Sequence, residues 1–117
     1  MNLLEETIHD IERSGHNPND IVFIGSPKSG HSCTWSEFES LADREYDDGF
    51  GAQQVASDLV ILFSDGTNMW RHEYDGSEYW NYSSPITIPS ELKPIRSLFV
   101  RGIGWEDLEE IHSEEDE

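Results

Sequence analysis

The residues with the most chemical promise are His31 and Cys33, two apart in the run His31-Ser32-Cys33-Thr34-Trp35. On a strand they would share a face, and an imidazole beside a thiol is the pairing that activates a cysteine nucleophile. Cys33 is also the sole cysteine, and a lone cysteine is more often a small core residue. Gly25-Ser26-Pro27-Lys28-Ser29-Gly30 loosely evokes a phosphate loop but lacks the Gly-Lys-Ser/Thr ending that grips the phosphates. His9, His16, His31, His72 and His112 are scattered, with no His-x-x-x-His spacing and no cysteine pair. Each reads as a satisfied or solvent-facing histidine. Asp43, Asp47 and Asp48 could gather a divalent cation weakly, although a solvated acidic face is far commoner. The expectation is no catalytic residue, no metal ligand and no cofactor; a small metal-dependent hydrolase is the least favoured alternative.

Carboxylates offer a different chemistry. Glu37, Glu39, Asp43, Glu45, Asp47 and Asp48 fall within twelve residues, relieved only by Arg44. On a helix, residues three or four apart stand ~5–6 Å from one another. Glu39 with Asp43, then Asp43 with Asp47, would therefore present a row of anionic oxygens resembling a row of phosphates. Asp75 and Glu78 add acids beside a turn, next to Tyr79 and Trp80. Carboxylates make charge-assisted bonds to arginine, and aromatics beside them supply desolvated anchors. The expected partner-binding residues are thus Glu37, Glu39, Asp43, Asp47, Asp48, Asp75, Glu78, Tyr79 and Trp80. The plainer reading is an acidic helix face in water with the aromatics in the core, and for any single acid that reading is preferred.

The whole chain favours the collective reading. It carries 25 Asp and Glu against 7 Lys and Arg, a formal net charge of −18 over 117 residues. Solubility asks for a net charge of only about 2–8, and the excess costs stability by self-repulsion. A basic partner would offset that cost. The same sign disfavours direct contact with nucleic acid or an anionic membrane. Residues 106–117 hold eight acids and no base, so residues 1–105 keep 17 acids against 7 bases. The body is acidic whatever the tail does.

The elements that must position these groups can be read in order. The length fits one domain, able to bury roughly 65% of its unfolded surface. The expected division is a single domain over residues 1–112 and a disordered acidic tail over 113–117. One cysteine and no leader segment suggest reducing cytosol. No apolar run approaches the roughly 18 residues of a membrane span. Asn2 to Ser14 predicts a helix, capped by Asn2, with an apolar stripe of Leu4, Ile8 and Ile11 beside Leu3 and with Glu5, Glu6, Asp10 and Glu12 off it. Ile21–Gly25 predicts a strand buried on both faces, with a return strand over His31–Trp35. A second helix, capped at Ser36 or in the competing register at Thr34, is expected to run to about Tyr46 before Asp47-Asp48-Gly49. Then the period changes to two: strands over 59–63, 68–74 and 78–82, separated by turns holding Asp65-Gly66 and Asp75-Gly76, predict an antiparallel meander. Pro85, Pro89 and Pro94 break the next stretch, Ser97–Val100 could be a short strand, and Gly104–Asp107 opens a final short helix. The expected fold is α+β: a four- or five-stranded, mostly antiparallel sheet with two helices and a short C-terminal third.

Asp43-Arg44-Glu45-Tyr46-Asp47-Asp48-Gly49-Phe50-Gly51 and His72-Glu73-Tyr74-Asp75-Gly76-Ser77-Glu78-Tyr79-Trp80, with the opening Met1-Asn2-Leu3-Leu4-Glu5-Glu6-Thr7, resemble a group of small acidic proteins from phages and prophages of Gram-positive bacteria. The resemblance spans most of the chain, brings no established activity and transfers no catalytic residue. It implies a mobile-element origin and a place in the cytoplasm of a bacterial host. In size and charge such proteins resemble anti-CRISPR and other anti-defence inhibitors. The expected function is therefore a non-enzymatic nucleic-acid mimic in the basic groove of a bacterial defence enzyme. The alternative is an intracellular binding module, such as a toxin immunity protein or a phage regulatory adaptor, anchored by its aromatic residues.

Overall fold

The computed structural model describes residues 1–46, 54–74, 77–83, 88–100 and 106–113. The expected helix end at Asp47-Asp48-Gly49, the expected Asp75-Gly76 turn, the expected opening at Gly104-Trp105 and residues 114–117 of the expected tail lie outside them. Asn2 begins helix α1, Leu3–Arg13, by accepting the Glu5 N–H on its side-chain oxygen. The buried face of α1 is Leu3, Thr7, Asp10 and Ile11, with Leu4 and Ile8 half-buried. That is the expected stripe rotated toward two polar residues, and each has a reason to be inside. Thr7 Oγ1 donates to Leu3 C=O at 2.7 Å and accepts the Trp80 indole N–H at 2.8 Å. Asp10 has Arg13 at 3.8 Å.

A short 3-10 helix, Pro18–Asp20, leads into strand β1, Ile21–Gly25. Val22 is 55% exposed, so β1 is not buried on both faces along its whole length. Strand β2 is His31–Ser32 alone, not a run to Trp35, because Thr34 turns away to cap helix α2, Trp35–Ala42. Of the two possible registers the Thr34 box forms: Glu37 N–H donates to Thr34 Oγ1 at 3.1 Å and Thr34 N–H to Glu37 Oε1 at 2.8 Å. Helix α2 ends at Ala42, one turn before Tyr46. Leu3 N–H bonds Arg44 C=O at 3.1 Å and Tyr46 N–H bonds Met1 C=O at 2.8 Å, so those groups pair with the chain start instead of a further helical turn.

Strands β3 (Val60–Phe63), β4 (Asn68–Tyr74) and β5 (Ser77–Ser83) form the expected antiparallel meander. A sixth strand, β6 (Lys93–Pro94), runs parallel to β2. The sheet order is β5-β4-β3-β1-β2-β6, so six strands stand where four or five were expected. Pro94 is tolerated because β6 is an edge, where a missing N–H breaks no ladder. Among the described residues, Ser97–Val100 contributes an isolated bridge between Phe99 and Val55. Helix α3, Leu108–His112, is capped by an Asp107–Glu110 box. None of the described helices is long and apolar enough to cross a membrane. The result is one α+β globule whose main core joins Leu3 and Ile11 of α1, Phe38 and Ala42 of α2 and Leu108 and Ile111 of α3 to Ile24, Ile61, Phe63, Met69 and Trp80 of the sheet.

The β1–β2 turn depends on a missing side chain. A Cβ on Gly25 would stand 1.9 Å from His31 C=O, at a φ of 155°. That carbonyl accepts the Ser26 N–H at 2.8 Å and cannot step aside without opening the hairpin. Gly25→Ala is expected to cost more than about 1 kcal/mol of stability, read as a lower urea midpoint at unchanged m value. A variant as stable as the parent would show that this approach is not required.

Candidate functional site

Glu37, Glu39 and Asp43 are all exposed along α2 and its C-terminal cap. Among the described residues no Lys or Arg forms an ion pair with any of them. One Glu37 oxygen is held by the Thr34 N–H, and Asp43 Oδ1 accepts from Asn2 Nδ2 at 3.0 Å. The two bonds from Leu3 and Tyr46 lay the chain after α2 against the start of α1. Asp43 and Glu45 therefore sit beside the first turn of α1, which carries Glu5 and Glu6. Part of this charge has a structural use, since a helix N-terminus is the positive end of its dipole. Glu45 also accepts from the N-terminal ammonium at 3.1 Å. Asp47 and Asp48 follow directly in sequence but lie outside the described residues.

Several of the described bases are engaged elsewhere. Lys28 lies 3.6 Å from Asp107, and the Arg44 guanidinium sits over the Phe99 ring at 4.3 Å from its centroid. Arg71 is 1% exposed, on the same side of β4 as Met69. Its NH1 meets Glu6 Oε2 at 3.2 Å and its NH2 donates to the Tyr46 hydroxyl at 2.8 Å. The Tyr46 hydroxyl donates in turn to Glu6 Oε1, and the Trp80 ring lies 5.0 Å from the guanidinium. Burial raises the Glu6 carboxyl above its ordinary range, against the lowering effect of Arg71 and the Tyr46 hydroxyl. Burial likewise pushes the Tyr46 phenol up. This buried triad ties α1, the segment after α2 and β4 together, and it positions the acidic corner. Sequence reasoning placed Glu6 off the buried stripe. The signal that could have found the triad was an arginine two residues from Met69 on the face of β4 turned toward the core.

Trp80 requires a correction. It was expected on the contact surface, but it is 3% exposed and gives its N–H to Thr7. It packs in the core because it pairs with Arg71 across β4 and β5 and points the same way. Tyr79, its neighbour in sequence, points oppositely and is 38% exposed. Its ring meets His72 edge-on at 5.5 Å, and His72 meets Trp70 edge-on at 5.0 Å. Glu78 is placed by its backbone, opposite Glu73, and Asp75 lies outside the described residues. Tyr79 thus faces away from the side of β4–β5 on which Arg71 and Trp80 meet α1.

A groove of about 300 Å³ opens beside β1, between Val22 and Phe23 on one side and Cys33, Thr34 and Trp35 on the other. An adjoining lobe of about 280 Å³ reaches Leu92 and Glu37. Val22 and Leu92 are both more than half exposed. The sequence did not reveal the groove, because it arises from the short β2.

Catalytic look-alikes fail on their geometry. Ser14, His16 and Asp65 line up, with Ser14 Oγ 2.9 Å from His16 Nδ1 and His16 Nε2 2.8 Å from Asp65 Oδ2. Yet Ser14 caps the C-terminus of α1, the negative end of its dipole, which opposes an alkoxide. Its hydroxyl also has Ile11 C=O at 2.7 Å, and the N–H groups of Ser14, Gly15 and His16 are all bonded to carbonyls of α1, leaving no oxyanion donors there. The Thr67 hydroxyl, His16 and the Thr67 N–H hold Asp65 well below the usual carboxylate range. The arrangement pins the β3–β4 turn to α1. His31 stacks on His112 at 4.4 Å, and both are buried. Cys33 instead lines the groove, where burial and then the Glu37 carboxylate push its thiol up to about 12. A neutral thiol is a poor nucleophile. Among the described residues no three of His, Cys, Asp and Glu come together as a metal site.

No family model, curated protein or solved structure matches this chain.

Proposed function

We propose that this protein is an acidic inhibitor that occupies the basic nucleic-acid groove of a bacterial defence enzyme, of the anti-CRISPR or anti-restriction kind. The observation that carries the reading is that Glu37 and Glu39 on one short helix and Asp43 at its C-terminal cap stand exposed, unpaired with any described cation, while Lys28, Arg44 and Arg71 are engaged elsewhere. Such a surface offers carboxylate acceptors to arginine and lysine side chains arranged for phosphates. Binding needs no reaction, and steering by the net charge of −18 would speed encounter. The resemblance to phage and prophage proteins supports the same reading and the cytoplasm of a bacterial host as its place. Capture from a bacterial lysate followed by mass spectrometry should retrieve a nucleic-acid enzyme. Its complex should weaken steeply between low and moderate salt and be displaced by duplex DNA or by RNA. A complex indifferent to salt that binds nucleic acid at the same time would sink the proposal.

The second reading, an aromatic-anchored module such as an immunity protein or regulatory adaptor, is favoured by the exposed Tyr79 on its His72–Trp70 stack. It expects the opposite salt behaviour, because burial of an aromatic ring is insensitive to screening.

A further inference from the structure

We infer that the groove beside β1 is a docking slot for an extended segment of a basic partner, which lies where a longer β2 would run. The slot exists because β2 stops. Strand β1 is flanked by β3 from Ile21 to Gly25, but it meets β2 only where Gly25 faces Ser32 and the Cys33 N–H bonds Ile24 C=O at 3.0 Å. Thr34 then leaves the sheet to cap α2. The space vacated beside Val22 and Phe23 is the groove, with Cys33, Thr34 and Trp35 as its far wall. Extended peptides bind by filling such gaps, gaining backbone bonds along the strand and specificity from alternate side chains.

Two further observations support an occupant. The β1–β3 register slips between Ile21 and Phe23, a bulge that coincides with the 55% exposure of Val22. Bulges concentrate where a side chain is re-aimed at a functional surface. Leu92, 53% exposed, stands at the other lobe. Two large apolar side chains on one concave strip are an unusual expenditure of surface in a chain this polar.

Charge selects the occupant. Glu37 lines the second lobe, and the chain carries −18, so a second copy, a nucleic acid or an anionic membrane would be repelled. The segment that fits alternates apolar side chains, for Val22 and Leu92, with basic ones for Glu37. This inference rests on the proposed basic partner and assigns that partner a second point of attachment. The acidic α2 surface and the groove share Glu37, so one partner could engage both.

The test uses the intact protein and three synthetic pentapeptides: acetyl-Arg-Val-Lys-Val-Arg-amide, its serine counterpart Arg-Ser-Lys-Ser-Arg, and the valine peptide N-methylated at both valines. Binding is followed by amide chemical shifts in 15N-labelled protein up to millimolar peptide. The valine peptide should shift Val22, Phe23, Cys33 and Thr34 and bind more tightly than the other two. The double variant Val22→Thr/Leu92→Ser, which keeps the charge, should weaken it about tenfold. Equal binding of the valine and serine peptides would overturn the slot and leave the acidic-surface proposal standing. Equal binding of the methylated peptide would overturn the strand pairing. Shifts confined to α2, or no shifts, would overturn the inference as well.

Discussion

Replacing Arg71 with methionine is expected to cost about 3–5 kcal/mol of folding stability, the penalty for leaving a buried charge without its partner. Glu6 has a side chain only 10% exposed, and the 1% exposed guanidinium is what compensates its carboxylate. Methionine keeps the length and the apolar stem, so packing against Trp80 and Met69 is largely preserved. The loss should depend on pH with a definite sign. Glu6 already titrates above its ordinary range, chiefly through burial. A carboxyl raised in the native state binds its proton more tightly there than in the unfolded chain, so it favours folding at low pH. That contribution falls away as pH rises from the unfolded value through the native one. Without Arg71 the native value rises further and the window widens upward. Arg71→Met should therefore be relatively more stable at pH 5 than at pH 8 in urea unfolding. The triple variant Glu6→Leu/Tyr46→Phe/Arg71→Met removes every polar member together and should recover most of the loss. A single variant within about 1 kcal/mol of the parent, or one that gains stability as pH rises, would show that the triad is not a coupled unit.

The fold was most legible where local chemistry and packing agree. The Asn2 cap places α1, the two-residue period places β4, and Asp65-Gly66 places the turn before it. Helix α2 was half legible. Its start is a capping box written in four residues, but its end is set by Leu3 and Met1, some forty positions away in sequence, which take the backbone groups of Arg44 and Tyr46. No local pattern carries that information. The same holds for β6, whose two residues become a strand only because β2 offers an edge. The candidate site was legible as a concentration of acids, since exposure is the default for Glu37, Glu39 and Asp43. It was not legible as a distribution. Trp80 and Tyr79 are adjacent, and which of them faces water depends on which side of the sheet the helices cover. Glu6 was placed off the buried stripe because polarity normally predicts exposure, and a carboxylate paired with a buried arginine escapes that rule.

If the α2 surface is the contact, position should matter more than total charge. Glu39→Lys/Asp43→Lys is expected to weaken the partner complex by at least about a hundredfold, because two attractions become two repulsions where close charge pairs couple by several kcal/mol. The control is Glu12→Lys/Glu109→Lys, which changes the net charge equally at exposed sites on α1 and α3. It should slow association modestly, through weaker steering, and leave dissociation unchanged. Among the described residues the Glu39 side chain has no hydrogen bond or ion pair to lose, and that of Asp43 loses its exposed bond from Asn2. Circular dichroism should therefore show both variants folded. Binding kinetics at two salt concentrations decide the matter. Equal losses in both variants would mean that the partner senses net charge alone, and full affinity in the α2 variant would move the contact to another face, with the Tyr79 stack as the first place to look.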